Sequence, residues 1–401
     1  MQKVYITAIN RTPIGKFLGS LSDVSPSDLA SGLLTKMLAT SNIPVSAIDE
    51  VIIGNVLSAG HGQNIARQVA LKAGLSESVP AYTLNMVCGS GLKAVYEAFI
   101  KIKYGMNRAI IAGGVENMSQ AAYLAPTSMR KGFKLGDVTF VDSLLKDGLT
   151  DAFGGYHMGQ TAENLVSQYR ISRQEQDEYA LASQLKARQA QQSGAFKAEI
   201  LPVVQMTRKG ELVTAEDEYI NYTTDAEQLA NLRPAFIKNG SVTAGNSSGI
   251  NDGAALLCLV SEATLHEFNL TPLAEIVGFA QSGVAPEVMG MGPVDAVSNV
   301  LAQNHLTFEE VAVFELNEAF AAQAIAVERV LAERLAVTPE ALRRKTNPKG
   351  GAIALGHPIG ASGARILTTL VHELQAQLPA YGVASLCIGG GMGIAALIKV
   401  V

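Results

Sequence analysis

Cysteine is scarce in this chain: among 401 residues there are three, Cys88, Cys258 and Cys387. They are too few and too scattered for a disulfide framework, and no Cys-x-x-Cys pair occurs. The six histidines lie far apart, with no His-Glu-x-x-His, so neither a structural zinc nor a catalytic metal is expected. A basic block is also missing, and with a net charge of −5 nucleic acid is not an expected partner. Mean hydropathy is positive, +0.20. Yet no apolar run approaches the ~20 residues a spanning helix needs, because Gly, Asn, Gln and charged residues interrupt each one, so no membrane partner is expected. The opening Met1-Gln2-Lys3-Val4-Tyr5-Ile6 runs straight into strand-like sequence without a leader pattern, and Ile398-Lys399-Val400-Val401 is no peroxisomal address. A cytoplasmic protein is the expectation.

What is present is a large buried interior. Apolar residues form 48% of the chain and charged residues 17%, which suits a globular protein with more than one packed unit. The first half alternates strands and amphipathic helices. Strands are predicted at Val4–Ile9, Glu50–Val56, Tyr82–Val87 and Ala109–Gly113, with helices at Ser27–Leu38, Ala66–Ala73 and Ser90–Tyr104. This alternation implies an α/β fold with a mostly parallel sheet covered on both faces.

The second half repeats the same punctuation. Pro26-Ser27-Asp28-Leu29 is echoed by Pro293-Val294-Asp295-Ala296, and the strand ending at Asn55 by the one ending at Asn317. Ser90-Gly91-Leu92-Lys93 is echoed by Ser362-Gly363-Ala364-Arg365, and Ile111-Ala112-Gly113-Gly114 by Cys387-Ile388-Gly389-Gly390. Four echoes in one order argue for a duplicated unit whose equivalent strand ends build a shared site. Residues 1–118 form one half, completed by about 250–272, and residues 273–401 the other. Between them, 119–249 is turn-rich, charged and strongly helical only over Arg173–Gln192. That is too long for a loop, so a subdomain covering the site is predicted.

Four blocks carry chemistry. Cys88, in Asn85-Met86-Val87-Cys88-Gly89-Ser90-Gly91, sits between a strand and a helix whose apolar stripe is Leu92, Val95, Phe99 and Ile102. Backbone N–H groups and the positive helix end there favour a thiolate. A base partner is wanted, and His357 is the candidate, set among small residues in Gly350–Gly363 ahead of another helix. In Cys387-Ile388-Gly389-Gly390-Gly391-Met392-Gly393 the spaced glycines precede β-like Ile394–Val401 rather than a helix, which excludes a dinucleotide fingerprint. The block offers instead a thiol base beside bare N–H groups able to hold an oxyanion. Asn317, in Asn317-Glu318-Ala319-Phe320, is expected to point into the crevice and hold a water or an oxyanion, its backbone also capping the next helix. Cys258 reads as strand core, and His61, His266, His305 and His372 as surface residues.

Together these blocks resemble the thiolase family, essentially end to end. Further matching stretches are Arg11-Thr12-Pro13-Ile14-Gly15, Ala112–Ser119, Asp147–Ala152, Tyr156-His157-Met158-Gly159, Leu232–Phe236 and Thr243–Gly253. The resemblance implies a duplicated αβαβα layered core with an inserted loop subdomain. It also implies reversible condensation of two acetyl-CoA to acetoacetyl-CoA and CoA, with no cofactor beyond the thioester substrate. Cys88 would carry the acetyl group, His357 would take its proton, and the backbone N–H groups of Cys88 and Gly389 would hold the oxyanion. Cys387 would remove a methyl proton, and Asn317 would bind the water that supports the enolate. His157, Met158, Phe236, Ala244, Ser248, Met289, Ala319 and Phe320 would line the CoA and acyl sites. Tyr156-His157-Met158-Gly159 resembles the short-chain type, and such members are usually tetramers. Two positions depart from the pattern: Asn221 stands where biosynthetic members often carry arginine, and Lys349 where asparagine is usual. The alternatives are a thiolase of broader chain length, a non-catalytic relative and a Cys/His thioester hydrolase.

Overall fold

The computed structural model describes residues 2–208, 210–377 and 379–400. Ten strands build the central sheet; the nine longer ones are numbered along the chain with the helices that cover them. In the first half β1 is Val4–Arg11, α1 Pro26–Thr40, β2 Glu50–Gly54, α2 Ile65–Lys72, β3 Ala81–Leu84, α3 Ser90–Lys103 and β4 Ala109–Asn117. Two long helices follow outside the sheet, α4 (Met158–Tyr169) and α5 (Arg173–Gln192). The sheet resumes with β5 (Asn251–Ser261), β6 (Ala274–Gly283), α6 (Gly292–Gln303), β7 (Val311–Leu316) and α7 (Ala321–Arg334). It ends with α8 (Ser362–Leu374), β8 (Ala380–Ile388) and β9 (Met392–Val400).

The strand order is β7-β8-β9-β6-β1-β5-β4-β2-β3, with short Gly15–Lys16 on the flank of β5. From the outside in, β2–β4 is parallel and β4–β5 and β5–β1 antiparallel; β7–β8 is likewise parallel and β8–β9 and β9–β6 antiparallel. The halves meet where β1 and β6 pair antiparallel, Tyr5 opposite Glu275. This is the pseudo-twofold that the repeated punctuation predicted. The sheet is therefore mixed rather than mostly parallel, because β1, β5, β6 and β9 pair antiparallel with their neighbours.

Helices α3 and α8 lie between the two half-sheets. One apolar cluster unites Leu92, Val95, Phe99 and Ile102 of α3 with Ile366, Leu370 and Leu374 of α8 and the inner faces of both halves. Each such side chain contributes about 1.5–3 kcal/mol by leaving water. Two further clusters bury the outer faces, one beneath α1 and α2 and one beneath α6 and α7. Buried on both faces, β5 reads as a continuous apolar run, Ala254 to Val260.

The helix pair touches at equivalent glycines. A Cβ on Gly91 would stand 2.9 Å from Ala364 N, and one on Gly363 only 2.5 Å from Leu92 N. Only glycine permits this approach, and it brings the chain ahead of α3, with Cys88, against the chain ahead of α8, with His357.

Within residues 119–249 no described strand joins the central sheet; the regular structure is two small two-stranded sheets, helices α4 and α5 and shorter helical pieces such as Ala226–Ala230. Helix α5 spans the predicted residues and opens with a capping box, Ser172 and Glu175. Arg11 ties this segment to β1: its guanidinium, fully buried, bonds Asp217 at 2.7 and 2.9 Å and Glu199 at 2.9 Å. Among the described residues, no helix is long and apolar enough to cross a membrane.

Candidate active site

Strand β3 stops at Leu84, three residues short of the predicted Val87. Side chains shape the interval instead. Asn85 Oδ1 accepts from Val87 N at 2.8 Å, while Ser90 Oγ accepts from Met86 N at 2.8 Å and donates to Val87 O at 2.7 Å. These bonds hold β-branched Val87 at φ 47°, a left-handed conformation that costs on the order of 1–3 kcal/mol. The strained turn delivers Cys88, half-buried, to the wall of a cavity of about 380 Å³.

The other half supplies the facing wall. Cys387 lies near the end of β8, and the Gly389–Gly391 turn leads into β9, with Gly390 and Gly391 at φ 87° and 89°. His357 lies before α8, buried, its backbone N–H donating to Asn251 Oδ1 at 3.0 Å and its Nδ1 2.6 Å from Ser362 Oγ. His357 Nε2 is buried and finds no hydrogen-bond partner among the described residues. Cys88, His357, Cys387 and Gly389 all border the one cavity.

Burial sets the charge states here. It pushes the Cys88 thiol up to about 11, against the opposing pull of the Gly389 and Cys88 N–H groups, with Glu116 adding to the rise. Burial also raises the Cys387 thiol, helped by the neighbouring Cys88 sulfur. The same desolvation, with a smaller push from Arg365, lowers His357 to about 4. At neutral pH the free site holds two thiols and a neutral imidazole. The thiolate expected from the helix end is outweighed because Cys88 stands ahead of α3 in low-dielectric surroundings.

His157, Met158, Phe236, Ala244, Ser248, Met289, Ala319 and Phe320 line the same cavity. His157 caps α4 through Nδ1, which accepts from Gly159 N at 3.0 Å, and its ring stacks on Phe236 at 4.8 Å. Phe236 in turn meets Phe320 edge-on at 5.9 Å. Ser248 N donates to Ala319 O at 3.0 Å, joining the inserted segment to the end of β7.

Asn317 departs from its expectation in part. It is not on the cavity wall, and it caps no helix: α7 begins at Ala321 with Phe320 as its cap. Its side-chain oxygen and nitrogen are buried and have no partner among the described residues. Two unmet polar atoms at that depth suit an ordered water. His372 is a second correction. It is half-buried, with Nε2 3.3 Å from Ile9 O, because α8 lies between the sheets. His61 is likewise half-buried, whereas His266 and His305 are exposed and Cys258 is buried in β5.

The cavity also includes Phe17, Met118, Leu149, Tyr219, Ile250 and Ile359, which pattern reading missed. Tyr219 lies two residues before Asn221, and Met118 and Leu149 fall within matched stretches, so a signal existed without a role attached. Asn221 itself is exposed and closes its own turn, Oδ1 accepting from Thr223 N and Thr224 N at 2.9 and 3.2 Å. Lys349 pairs with Glu373 at 3.1 Å and reaches Ala195 O at 3.4 Å. Among the described residues, no cluster of three or more His, Cys, Asp or Glu could hold a metal ion.

Comparison with known proteins agrees with this architecture over the whole chain. The thiolase N-terminal domain matches residues 4–263 and the thiolase C-terminal domain residues 270–400. A probable acetyl-CoA acyltransferase of Staphylococcus aureus (strain MRSA252) is 53% identical over 400 residues, covering 100% of this chain and 99% of the relative. The crystal structure of Bacillus anthracis acetyl-CoA acetyltransferase superposes with a TM-score of 0.95 at 42% identity, covering 100% and 99% of the two chains. Human mitochondrial 3-ketoacyl-CoA thiolase superposes at 0.94 and 41%, with the same coverage. The duplicated sheet, the shared cavity and these full-length matches give one conclusion: the chain belongs to the thiolase family.

Proposed function

We propose that this thiolase is an acetyl-CoA C-acetyltransferase, joining two acetyl-CoA into acetoacetyl-CoA and free CoA through an acetyl group on Cys88. One observation carries the reading: two thiols, an imidazole with a free Nε2 and the Gly389 N–H border a single cavity walled by apolar side chains.

The charge states suggest the order of proton transfers. His357 Nε2 takes the Cys88 proton as the sulfur attacks the thioester carbon, and the N–H groups of Cys88 and Gly389 hold the developing oxyanion. The bond to the CoA sulfur breaks, and that sulfur leaves as CoA with the proton of Cys387. Cys387, now a thiolate whose proton affinity burial has raised, removes a methyl proton from the second acetyl-CoA. The enolate oxygen is held by protonated His357 and an Asn317-bound water. Its carbon attacks the acetyl carbon, the bond to Cys88 breaks, and Cys88 recovers its proton from His357. Every group then returns to its starting state, in either direction.

His157, Met158, Phe236, Met289 and Phe320 pack the acyl end closely. A Cβ on Gly159 would sit 2.2 Å from the Phe236 ring, so that ring is seated against α4. This tight wall favours short acyl chains. A 3-ketoacyl-CoA thiolase of broader range is the second reading, since the structural likeness to the human mitochondrial enzyme of that name is nearly as high. Ala244 and Ser248 lie on the inserted segment, at the expected path of the CoA arm. A homotetramer is proposed as well. Exposed Tyr123, Met129, Phe133, Leu135, Phe140 and Phe153 in the inserted segment are a large apolar surface for a solitary chain.

Mass spectrometry after exposure to acetyl-CoA tests the mechanism. An acetyl group on Cys88 is expected in the wild type and in C387S, with condensation lost on the order of 1,000-fold or more in C387S. Thioester hydrolysis that persists in C387S without any condensation in the wild type would indicate a hydrolase. Comparable cleavage of acetoacetyl-CoA and a ten-carbon ketoacyl-CoA would favour the broader thiolase.

A further inference from the structure

Glu116, at the end of β4, is completely buried yet makes no ion pair among the described residues. Its carboxylate is instead surrounded by N–H donors. Oε1 accepts from Asn55 Nδ2 at 2.9 Å and from Leu57 N at 3.1 Å. Oε2 accepts from Val56 N at 3.0 Å and from Gly360 N at 2.9 Å. None of these four donors can accept a proton in return, so they draw the carboxyl toward its ionised form, against the burial that pushes it up to about 7, and a protonated Glu116 would leave an unmet O–H.

Three donors come from the loop after β2, in the first half; the fourth, Gly360, comes from the loop of the second half that carries His357. The seat is tight. A Cβ on Gly360 would lie 2.6 Å from Glu116 Oε2, and one on Gly114 only 2.0 Å from Gly360 O. Next to the tethered residues, Leu57 and Ile359 pack together with Val56 and Met118, and Cys88 rests against this cluster. One carboxylate therefore ties down both the wall behind Cys88 and the loop bearing its base.

We propose that Glu116 is a positioning residue for the reaction, clasping the His357 loop to the Cys88 wall across the two halves. The inference rests on the reading that Cys88 and His357 react together. Its buried charge also acts on Cys88, which Glu116, His357 and Cys387 all face, while Asp252 is the charged neighbour of Glu116 itself. Removing a nearby negative charge makes a thiolate easier to form. The clasp thus has a signature that a purely structural carboxylate would lack.

The test compares wild type, E116Q and E116D in steady-state condensation and in the pH dependence of Cys88 alkylation by iodoacetamide. In E116Q, kcat per folded active site is expected to fall on the order of 10- to 100-fold, with KM changed by less than about 3-fold. Its alkylation profile is expected to move to lower pH. E116D keeps the charge but shortens the reach; it should lose kcat without that movement. Unchanged kcat per folded site in either variant, or an unmoved profile in E116Q, overturns the proposal. Should E116Q fail to fold, E116D decides on kcat, and deuterium exchange of the wild-type peptide spanning 356–361 decides on the clasp. Slow exchange is expected there, and exchange as fast as in exposed loops overturns it. Absence of acetyl from wild-type Cys88 would instead sink the functional reading, whatever the Glu116 variants do.

Discussion

Ser362 Oγ stands 2.6 Å from His357 Nδ1 and 2.9 Å from the carbonyl oxygen of Pro358. A hydroxyl has one hydrogen. When it donates to Pro358, it can only accept from His357, which places the ring proton on Nδ1 and leaves Nε2 with its lone pair toward the cavity. The hydroxyl therefore orients the base and selects the useful tautomer. S362A should lower kcat on the order of 10- to 100-fold while KM stays within a few-fold. The lost bonds should cost about 1–2 kcal/mol in denaturant unfolding. S362T, which retains the hydroxyl, should recover much of the rate. Equal rates in wild type and S362A would show that the imidazole orients itself.

Burial, with a smaller push from Arg365, holds folded His357 at about 4, below its unfolded value of about 6.5. Between those values the unfolded chain binds a proton that the folded one does not, so acidification favours unfolding. Measured against H357N, the wild type should lose stability as pH falls from about 6.5 to 4, to a total of roughly 3 kcal/mol. Above pH 7 the difference between the two should be flat. Urea unfolding of both proteins at several pH values gives the difference, and parallel curves through the acid range would contradict the assigned burial.

The sequence exposed the duplicated plan because turn residues and helix starts recur at equivalent places. Gly91 and Gly363 even proved to be a point of close contact between the halves. It pointed to Cys88, His357 and Cys387, which border one cavity, because each stands among small residues that nothing in a core requires. Other features depend on distances no periodicity carries. β3 ends at Leu84 rather than at Val87 because Ser90 and Asn85 take over its hydrogen bonding. Phe17 and Ile359 reach the cavity from opposite halves, and no local pattern marks either as facing it. Asn317 reads as a cap because a helix follows, yet the chain first bends at Ala319 and α7 starts only after an extended Phe320.

Met158 bears on chain length. It is buried at the first turn of α4, and its sulfur would stand 3.5 Å from a Cβ on Gly389, beside the proposed oxyanion donor. M158A should open the acyl end of the cavity. Cleavage of a ten-carbon ketoacyl-CoA should rise relative to acetoacetyl-CoA by about 10-fold or more in kcat/KM, since a few methylenes in an apolar pocket are worth that much. Stability should drop by about 2–5 kcal/mol from the space left behind. An unchanged ratio in folded M158A would place the chain-length limit elsewhere.

Arg11 poses the sharpest stability question. Its guanidinium is fully buried, sandwiched between Asp217 and Glu199, and its Cζ lies 5.2 Å from the centre of the Phe196 ring. Asp217 also accepts from Ile14 N at 2.8 Å, so the pair fixes the chain on the way to Phe17 at the cavity. Replacing Arg11 with methionine keeps most of the volume but strands two carboxylates without their cation. Such a loss typically costs about 3–5 kcal/mol, whereas removing all three charges together costs far less. R11M should therefore unfold at markedly lower urea, and the triple variant R11M/E199Q/D217N should regain most of that loss. If R11M alone matched the wild type, the buried cation would be contributing nothing net, and the segment would be held to β1 by its apolar contacts.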